Sequence, residues 1–264
     1  MSEVTGGSFE ACEPESTEWL RSFVGGLFDK LQNDAAKMSS VIQGLKAEAE
    51  AVDAQARSLH QKFCLTLIEQ YGEDVGVVFV FLMNILCLKT GDWFLIDAGV
   101  PHAYLQGELM ECMINSDNVV RGGLTNKLKD SGTLCEILPY EARSAPQVWQ
   151  GNLIQQEEGS FEVREFLTEQ FKELCILRIE INATSTAQVE LPRLALLGIF
   201  IVLSGQGQVK IQNEAMQQNG EQAQAIHKFS TWYVTPGSQL TVERTDAANV
   251  PAMPLVIFLA SPRT

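Results

Sequence analysis

The chain has 264 residues, of which 45% are hydrophobic and 20% charged, and its formal net charge is −14. This composition is typical of a globular protein, and the negative charge argues against nucleic acid or an anionic membrane surface as its main partner. The longest apolar run, Val75 to Leu88, is too short to span a bilayer, and the first residues carry no secretory signal. We therefore expect a cytoplasmic protein.

Cysteine usage supports the same compartment. The six cysteines are widely scattered and form no C-x-x-C pair. We expect free, mostly buried thiols, which are usual where the surroundings are reducing. The cysteines are Cys12, Cys64, Cys87, Cys112, Cys135 and Cys175.

The first part of the chain predicts a helical domain. Residues 1–16 are acidic and lack apolar periodicity, so we expect a disordered tail. The domain is predicted over 17–88, because apolar residues then recur at helical spacings of three and four. The first such stripe consists of Trp19, Leu20, Phe23, Leu27 and Leu31.

Three more helices are predicted in this domain. Good helix formers fill 35–51, and an apolar face recurs through 53–71. Gly72 is suited to end the third helix, and Asp74 can cap a fourth helix in the apolar run that follows.

From Lys89 onward the pattern indicates β structure. Short apolar runs are broken by Gly, Pro and Asn or Asp, which is typical of antiparallel strands. Four short strands are predicted in this first β region: 93–97, 102–107, 109–114 and 118–124. We assign 89–150 to a partial β unit and its linker. Residues 139–160 lose periodicity, so we expect a connection between domains there.

A second β-rich region begins at Phe161, and we predict a complete small barrel or sandwich over 151–264. Its predicted strands lie within 161–168, 174–181, 195–212, 229–244 and 255–262. The fold class is therefore mixed and mainly β, with an N-terminal helical domain, a partial β unit and a C-terminal barrel.

His102 and Tyr104 form the first candidate site. Val100-Pro101 delivers the His102 imidazole at the start of a predicted strand, where it could face a metal. The alternative is a histidine satisfied by a backbone carbonyl, and local sequence favours that alternative. Tyr104 follows two residues later and so shares the face of His102 in a strand. It either supplies a polar group or simply packs in the core.

Glu111 and Arg121 form the second candidate pair. Glu111 lies among apolar residues, where an unpaired carboxylate is costly to bury. Arg121 offers a permanent charge and a planar fork of donors suited to phosphate, and Gly122-Gly123 could leave space for a ligand. A structural Glu–Arg ion pair is an equally good explanation. Lys127 completes a local basic cluster, although a solvated loop lysine is the plain alternative.

The stretch from Gly91 to Lys127 reads G-D-x-x-x-I-x-A-x-V-P-H-A-Y-L-x-G and then E-C-M-x-x-S-D-N-V-V-R-x-G-L-T-x-K. This long pattern resembles the signature region of the type I phosphomannose isomerases. The helical stretch before it resembles the helical insert of that family. The final barrel resembles it more weakly, through VLSGQGQV and WYVTPGSQLTV. The resemblance covers roughly 17–262.

The resemblance implies cupin-type jelly-roll barrels with a helical insertion and one zinc ion. It also implies the interconversion of mannose 6-phosphate and fructose 6-phosphate, in which a proton moves between C1 and C2 of the sugar. By position, His102 would be a zinc ligand and Arg121 the catalytic arginine. Glu111 would be the acid/base candidate, while Tyr104 and Lys127 would contact the substrate.

The chain departs from this family in its metal ligands. The other three, a Gln and a His two residues apart and a later Glu, precede the helical insert in the family. This chain has only three histidines and contains no Q-x-H or H-x-H. His60 is expected to be an exposed or partly buried helical residue, and His227 a surface residue in a polar connection. We therefore expect a chain that lacks the N-terminal part of the family, with an incomplete first barrel and one zinc ligand.

Three functional hypotheses follow. The chain is a shortened isomerase with low or no activity alone, or a non-catalytic cupin module that binds a sugar phosphate or a protein partner. In the third hypothesis a separate N-terminal polypeptide completes the site. A catalytic zinc site needs three protein ligands, so the isolated chain is not expected to bind zinc tightly.

Overall fold

The computed structural model describes residues 16–116, 118–169, 172–213, 223–245 and 252–263. The tail predicted over 1–16 therefore lies, except for its last residue, outside the described residues. The chain divides into two compact units. We call them the helical unit, which runs to Leu88 and includes 96–110 and 115–147, and the β unit, which comprises 89–95, 111–114 and everything from Val148.

The helical unit contains the first three predicted helices. Its helical elements are α1 (Thr17–Leu27), a π-helical turn (Phe28–Gln32), α2 (Ala35–Glu50), α3 (Leu59–Tyr71), α4 (Gly76–Phe79) and α5 (Ser131–Ile137). Ser16 caps α1 and Asp34 caps α2, each through its side chain. Ser58 and Gln61 form a capping box at the start of α3, and Gly72, with φ +66°, ends that helix as predicted.

The core of the helical unit follows the predicted apolar stripe. Phe23, Leu27 and Leu31 are all at most 4% exposed, and Trp19 stacks on Phe23 with ring centroids 5.0 Å apart. The helix predicted from Val75 is much shorter than expected, since α4 ends after a single turn. α5 was not predicted, because its short sequence carries too few apolar residues to show a helical period.

The four strands predicted between Trp93 and Leu124 are absent from the described residues, and the prediction is wrong here. One isolated bridge, Trp93–Trp149, is the only ladder contact described for this stretch, with N–O distances of 2.9 Å in both directions. Within the described part of the chain, no strand includes any residue from 96 to 124. The residue types there suit strands, but a strand forms only where another strand supplies its hydrogen-bonded ladder.

The β unit is built from two antiparallel sheets. The strands are β1 (Asn152–Glu157), β2 (Phe161–Phe166), β3 (Leu174–Ile181), β4 (Gln188–Glu190), β5 (Gly198–Ser204), β6 (Gln206–Asn213), β7 (Gln224–His227), β8 (Thr231–Val234), β9 (Ser238–Arg244) and β10 (Leu255–Pro262). The six-stranded sheet has the order β1-β2-β3-β10-β5-β8 and the four-stranded sheet the order β4-β9-β6-β7.

The two sheets share one core. Side chains alternate along the strands, so Ile179 of β3 and Val242 of β9 are at most 1% exposed and belong to the same apolar cluster. The prediction of a mainly β, antiparallel fold is confirmed. β1 falls where a connection was predicted, and β4 and β7 were missed because each has only three or four residues. His227 therefore ends a strand.

The described helices include none that is both long enough and apolar enough to cross a membrane. The five described cysteines are free, but only Cys64 is buried, so the expectation of mostly buried thiols is wrong. Cys12 lies outside the described residues. Burial nevertheless raises the pKa of Cys64, Cys112 and Cys135, which keeps these thiols protonated at neutral pH.

Candidate functional site

His102 and Tyr104 lie together at the surface of the helical unit. Their rings meet edge to face, with centroids 5.6 Å apart, and both residues are exposed. The Nδ1 atom of His102 lies 2.9 Å from the carbonyl oxygen of Val100. This contact fits the tautomer with the hydrogen on Nδ1, because a carbonyl oxygen can only accept, and in that tautomer Nε2 keeps its lone pair. This is the tautomer that histidine ligands of metals usually adopt.

Arg121 and Lys127 lie on one closed loop, which we call the Arg121–Asp130 loop. The backbone N–H of Asp130 donates to the carbonyl of Arg121 at 3.0 Å, which joins the two ends of the loop. Arg121 is half-buried and Lys127 is exposed. Within the loop, the N–H of Lys127 donates to Oγ1 of Thr125 at 3.1 Å. Two cationic side chains are thus carried by a loop of defined shape.

The helix after this loop begins at a strong cap. Asp130 accepts hydrogen bonds from the N–H and the hydroxyl of Thr133, at 3.0 and 2.7 Å. The backbone N–H of Thr133 is the main cause that lowers the pKa of Asp130. The loop therefore ends at a fixed carboxylate, which stays ionised at neutral pH.

Asp74 holds the same loop from inside the helical unit. Its Oδ1 atom accepts hydrogen bonds from the N–H groups of Gly76 at 2.7 Å and Leu124 at 3.0 Å. Its Oδ2 atom lies 2.5 Å from Nζ of Lys129. Sequence reasoning predicted only a helix cap here. The sequence signal that could have indicated a larger role is the acidic pair Glu73-Asp74 directly before an apolar run.

Gly122 and Gly123 do not leave space for a ligand, so that interpretation is wrong. A Cβ atom on Gly123 would lie 2.7 Å from the Asp74 carboxylate and 2.8 Å from the backbone of Gly76. A Cβ on Gly122 would lie 2.5 Å from the side chain of Leu134. The glycines are required for close packing of the Arg121–Asp130 loop against the helices.

Glu111 is an exposed residue of the β unit, whereas the other four candidates belong to the helical unit. The expectation that it is buried among apolar neighbours is therefore wrong. The surrounding stretch exposes large apolar side chains, each between 48% and 55% accessible. They are Tyr104, Leu109, Met113, Ile114 and Val119. Such a run of exposed apolar groups is typical of a surface that contacts other polypeptide.

The donor set for a metal is incomplete. Within the described ranges, no group of three or more His, Cys, Asp or Glu side chains could hold a metal ion. His102 suits a ligand by its tautomer, but His60 instead lies against Phe81, with ring centroids 6.2 Å apart. His227 lies near its own neighbour, with Nδ1 3.1 Å from the carbonyl oxygen of Lys228. The described residues therefore do not form a zinc site.

An aromatic cluster with a small cavity was not predicted. The Trp93 and Trp149 rings lie 4.9 Å apart, and Phe166 meets Trp93 edge to face at 5.6 Å. A cavity of about 100 Å³ is lined by both tryptophans, and Nε1 of Trp93 is buried without a hydrogen-bond partner among the described residues. Because the two tryptophans lie 56 residues apart in sequence, no local sequence pattern indicated that their rings would meet.

Solved structures identify the class of protein that this fold represents. The mannose 6-phosphate isomerase of Salmonella typhimurium, solved with its substrate fructose 6-phosphate and zinc, matches with a TM-score of 0.68. The match covers 94% of this chain and 55% of that chain at 19% identity. The apo form of the same enzyme gives the same TM-score. The chain therefore has the fold of a phosphomannose isomerase.

Two curated sequences have a higher identity to this chain than the solved structure does. The mannose-6-phosphate isomerase of Cryptococcus neoformans is 38% identical over 218 residues, which cover 78% of this chain and 47% of the relative. Mannose-6-phosphate isomerase 1 of Arabidopsis thaliana is 31% identical over 202 residues, covering 75% and 44%. No protein-family model matches the chain. The chain belongs to the type I phosphomannose isomerase family, and it spans less than half the length of these two curated relatives.

Proposed function

We propose that this chain carries part of a mannose-6-phosphate isomerase site and depends on residues outside this sequence for turnover. The observation that carries the proposal is the pattern from Gly91 to Lys127, found in a chain similar to enzymes with that name. In this proposal 89–150 belong to the catalytic cupin barrel and 151–264 form the second barrel. The protein then acts in the cytoplasm.

The proposed chemistry is an aldose–ketose isomerisation of mannose 6-phosphate to fructose 6-phosphate. A base takes the proton from C2 and returns it to C1, while the hydroxyl proton moves from O2 to O1. Glu111 is the candidate for the shuttle at carbon, since a carboxylate can accept and return one proton. Arg121 stabilises the negative charge of the enediolate, because its own charge is permanent.

The remaining two residues bind the substrate in this proposal. Lys127 offers an exposed ammonium group for the phosphate, on the same loop as Arg121. Tyr104 offers a phenol beside His102, where it can contact a sugar hydroxyl.

The zinc of the solved relative fits this chain only in part. His102 suits a ligand, because its Nδ1–H donates to Val100 and its Nε2 remains available. A catalytic zinc site takes three protein ligands and an open position, and the described residues supply one. We therefore assign no step of the reaction to zinc held by this chain alone.

The exposed apolar side chains around Glu111 support the need for further polypeptide. They are Tyr104, Leu109, Met113, Ile114 and Val119, each between 48% and 55% accessible. A run of exposed apolar groups is typical of a surface that another polypeptide covers. We propose that strands from a separate or preceding N-terminal polypeptide pair here and bring the missing ligands.

A second candidate function is a non-catalytic module that binds a sugar phosphate or a protein partner. The incomplete donor set among the described residues favours it. The module hypothesis keeps Arg121 and Lys127 as anion-binding groups but requires no metal and no proton transfer.

The deciding experiment measures turnover, zinc content and ligand binding on one sample of the chain. Turnover is followed with an assay coupled to fructose 6-phosphate, and binding is followed by titration with mannose 6-phosphate. We expect little turnover, little zinc and measurable binding, which the variants Arg121→Ala and Lys127→Ala should weaken. Arg143→Ala serves as a matched control, because this arginine instead bonds Glu141 at 2.7 Å.

Addition of an N-terminal polypeptide from a relative separates the two candidate functions. Restored turnover with bound zinc supports the isomerase proposal, whereas unchanged binding without turnover supports the module. Robust turnover and stoichiometric zinc in the chain alone would overturn the proposed dependence on further residues.

A further inference from the structure

We infer that Asp74 is a positioning residue, which fixes the Arg121–Asp130 loop so that Arg121 and Lys127 can bind the anionic part of a substrate. This inference rests on the proposed function, in which these two cations contact the sugar phosphate. It adds to that function a residue that is distant in sequence and whose side chain faces the protein interior.

Burial makes Asp74 exceptional among the acidic residues that the structure describes. Its side chain is only 4% exposed, and it is the one buried carboxylate among the described residues. Burying an ionised carboxylate costs several kcal/mol unless hydrogen bonds and an opposite charge compensate it. Asp74 has both, since it accepts two backbone N–H groups and pairs with Lys129.

Two of these three partners belong to the Arg121–Asp130 loop. The N–H of Leu124 is 50 residues away in sequence, and Nζ of Lys129 is 55 residues away. Asp74 therefore binds the loop on both sides of Lys127, at Leu124 and at Lys129. The third partner, the N–H of Gly76, fixes the carboxylate itself to the start of α4.

The conformation of the loop requires this support. Leu124 has a φ of +53°, a left-handed conformation that costs a non-glycine residue on the order of 1 kcal/mol. The hydrogen bond from its N–H to Asp74 holds the residue there. Gly123 packs directly against Gly76 and the same carboxylate, so the loop has no room to shift toward the helices.

The ion pair also determines which cationic side chains of the loop remain available to bind a ligand. The Asp74 carboxylate neutralises Lys129, whose side chain is 32% exposed. Lys127, two residues earlier, is exposed on the same loop. The loop therefore presents Arg121 and Lys127 to an anion, while Lys129 serves to hold the loop.

The test compares Asp74→Asn with Ile42→Val in the full chain. Asp74→Asn keeps the size of the side chain but removes its charge. Ile42 is 2% exposed in the same helical unit, so Ile42→Val lowers stability while it leaves every hydrogen bond and charge of the loop in place. Both variants are titrated with mannose 6-phosphate and with mannose, after circular dichroism has shown that each is folded.

We expect Asp74→Asn to weaken mannose 6-phosphate binding roughly tenfold, which corresponds to about 1.4 kcal/mol, because the loop loses its charged anchor. Binding of mannose should change less, and Ile42→Val should leave both affinities unchanged. Hydrogen exchange at the Leu124 amide should become faster in Asp74→Asn only. A purely structural role would make the two variants equivalent in binding.

The outcomes distinguish the inference from the proposed function. If Arg121→Ala and Lys127→Ala weaken binding while Asp74→Asn does not, the positioning role is overturned and the site stands. If neither cation variant changes binding, the proposed function is overturned and this inference with it. Should Asp74→Asn fail to fold, Lys129→Met provides the same comparison by removing the partner on the loop.

Discussion

Asp74 and Lys129 form an ion pair with Oδ2 and Nζ 2.5 Å apart, although 55 residues separate them in sequence. The two ends of this pair differ in exposure, at 4% for Asp74 and 32% for Lys129. Removal of Asp74 and removal of Lys129 should therefore change the stability by different amounts, because only the lysine is exposed enough to turn toward water.

Asp74→Ala should lower the free energy of unfolding more than Lys129→Met. The first change leaves two backbone N–H groups without an acceptor, each costing about 1–3 kcal/mol if buried. The second leaves a carboxylate that still accepts both N–H groups, so we expect about 1–2 kcal/mol. Urea unfolding followed by circular dichroism measures both, and equal losses would show that the ion pair alone matters.

Gly123→Ala should destabilise the helical unit by about 1–3 kcal/mol, the usual cost of overpacking. The new methyl would lie 2.8 Å from the Gly76 backbone, which cannot move aside as a flexible side chain could. Gly44→Ala is the matched control, since α2 leaves open space at this position. That change should stabilise the helix by about 0.5–1 kcal/mol. A neutral Gly123→Ala would contradict the tight packing of the loop.

Local sequence signals predicted the first three helices well. Ser58 and Gln61 have the spacing of a capping box, and Gly72 supplies the left-handed end of α3. These features depend on residues within one turn of each other, so the sequence contains all the information needed. The alternation in β10 was equally readable, because every second side chain of this strand is buried in the core.

Longer-range features were not predictable in the same way. The four strands expected between Trp93 and Leu124 have suitable residues, but a strand also needs a hydrogen-bonded partner. Asp74 was predicted as a cap, since nothing local indicates an N–H group 50 residues away. Gly123 was interpreted as space for a ligand, because a glycine pair looks the same whether a ligand or Gly76 fills that space.

Glu162 should make the β unit sensitive to acid. The hydrogen bond from Arg164, followed by the charges of Arg164 and Arg178, holds the pKa of Glu162 below its usual range. A carboxylate with a lowered folded pKa contributes stability above its unfolded pKa of about 4.3, and this stability is lost as the pH falls through the folded pKa.

Glu162→Gln should therefore cost about 1 kcal/mol at neutral pH, a value reduced because the carboxylate is partly solvated. The difference between variant and wild type should shrink as the pH falls below about 4. Urea unfolding of both proteins at a series of pH values provides the measurement. Glu157→Gln, in exposed β1, is the control and should show no such trend. A difference that is constant with pH would exclude the ionised pair as its cause.

The phenol of Tyr140 should ionise well above the usual pH range of tyrosine. Burial raises its pKa to about 12, assisted by Cys135, while the Arg21 guanidinium 4.9 Å from the ring centroid acts in the opposite direction. The hydroxyl also donates to the carbonyl of Cys135 at 2.6 Å. The other three tyrosines are exposed by 40% or more.

The sign of this effect on stability follows from the raised pKa. Its contribution is complete below the unfolded value of about 10 and is lost as the pH rises through the folded value. Tyr140→Phe should cost about 1 kcal/mol at neutral pH through the lost hydrogen bond. Between pH 10 and 12 the variant should lose stability less steeply than the wild type. Tyrosinate absorbance should show one delayed group, which Tyr140→Phe removes and Tyr233→Phe does not. Ionisation of all four tyrosines in a single step near pH 10 would contradict the buried position of Tyr140.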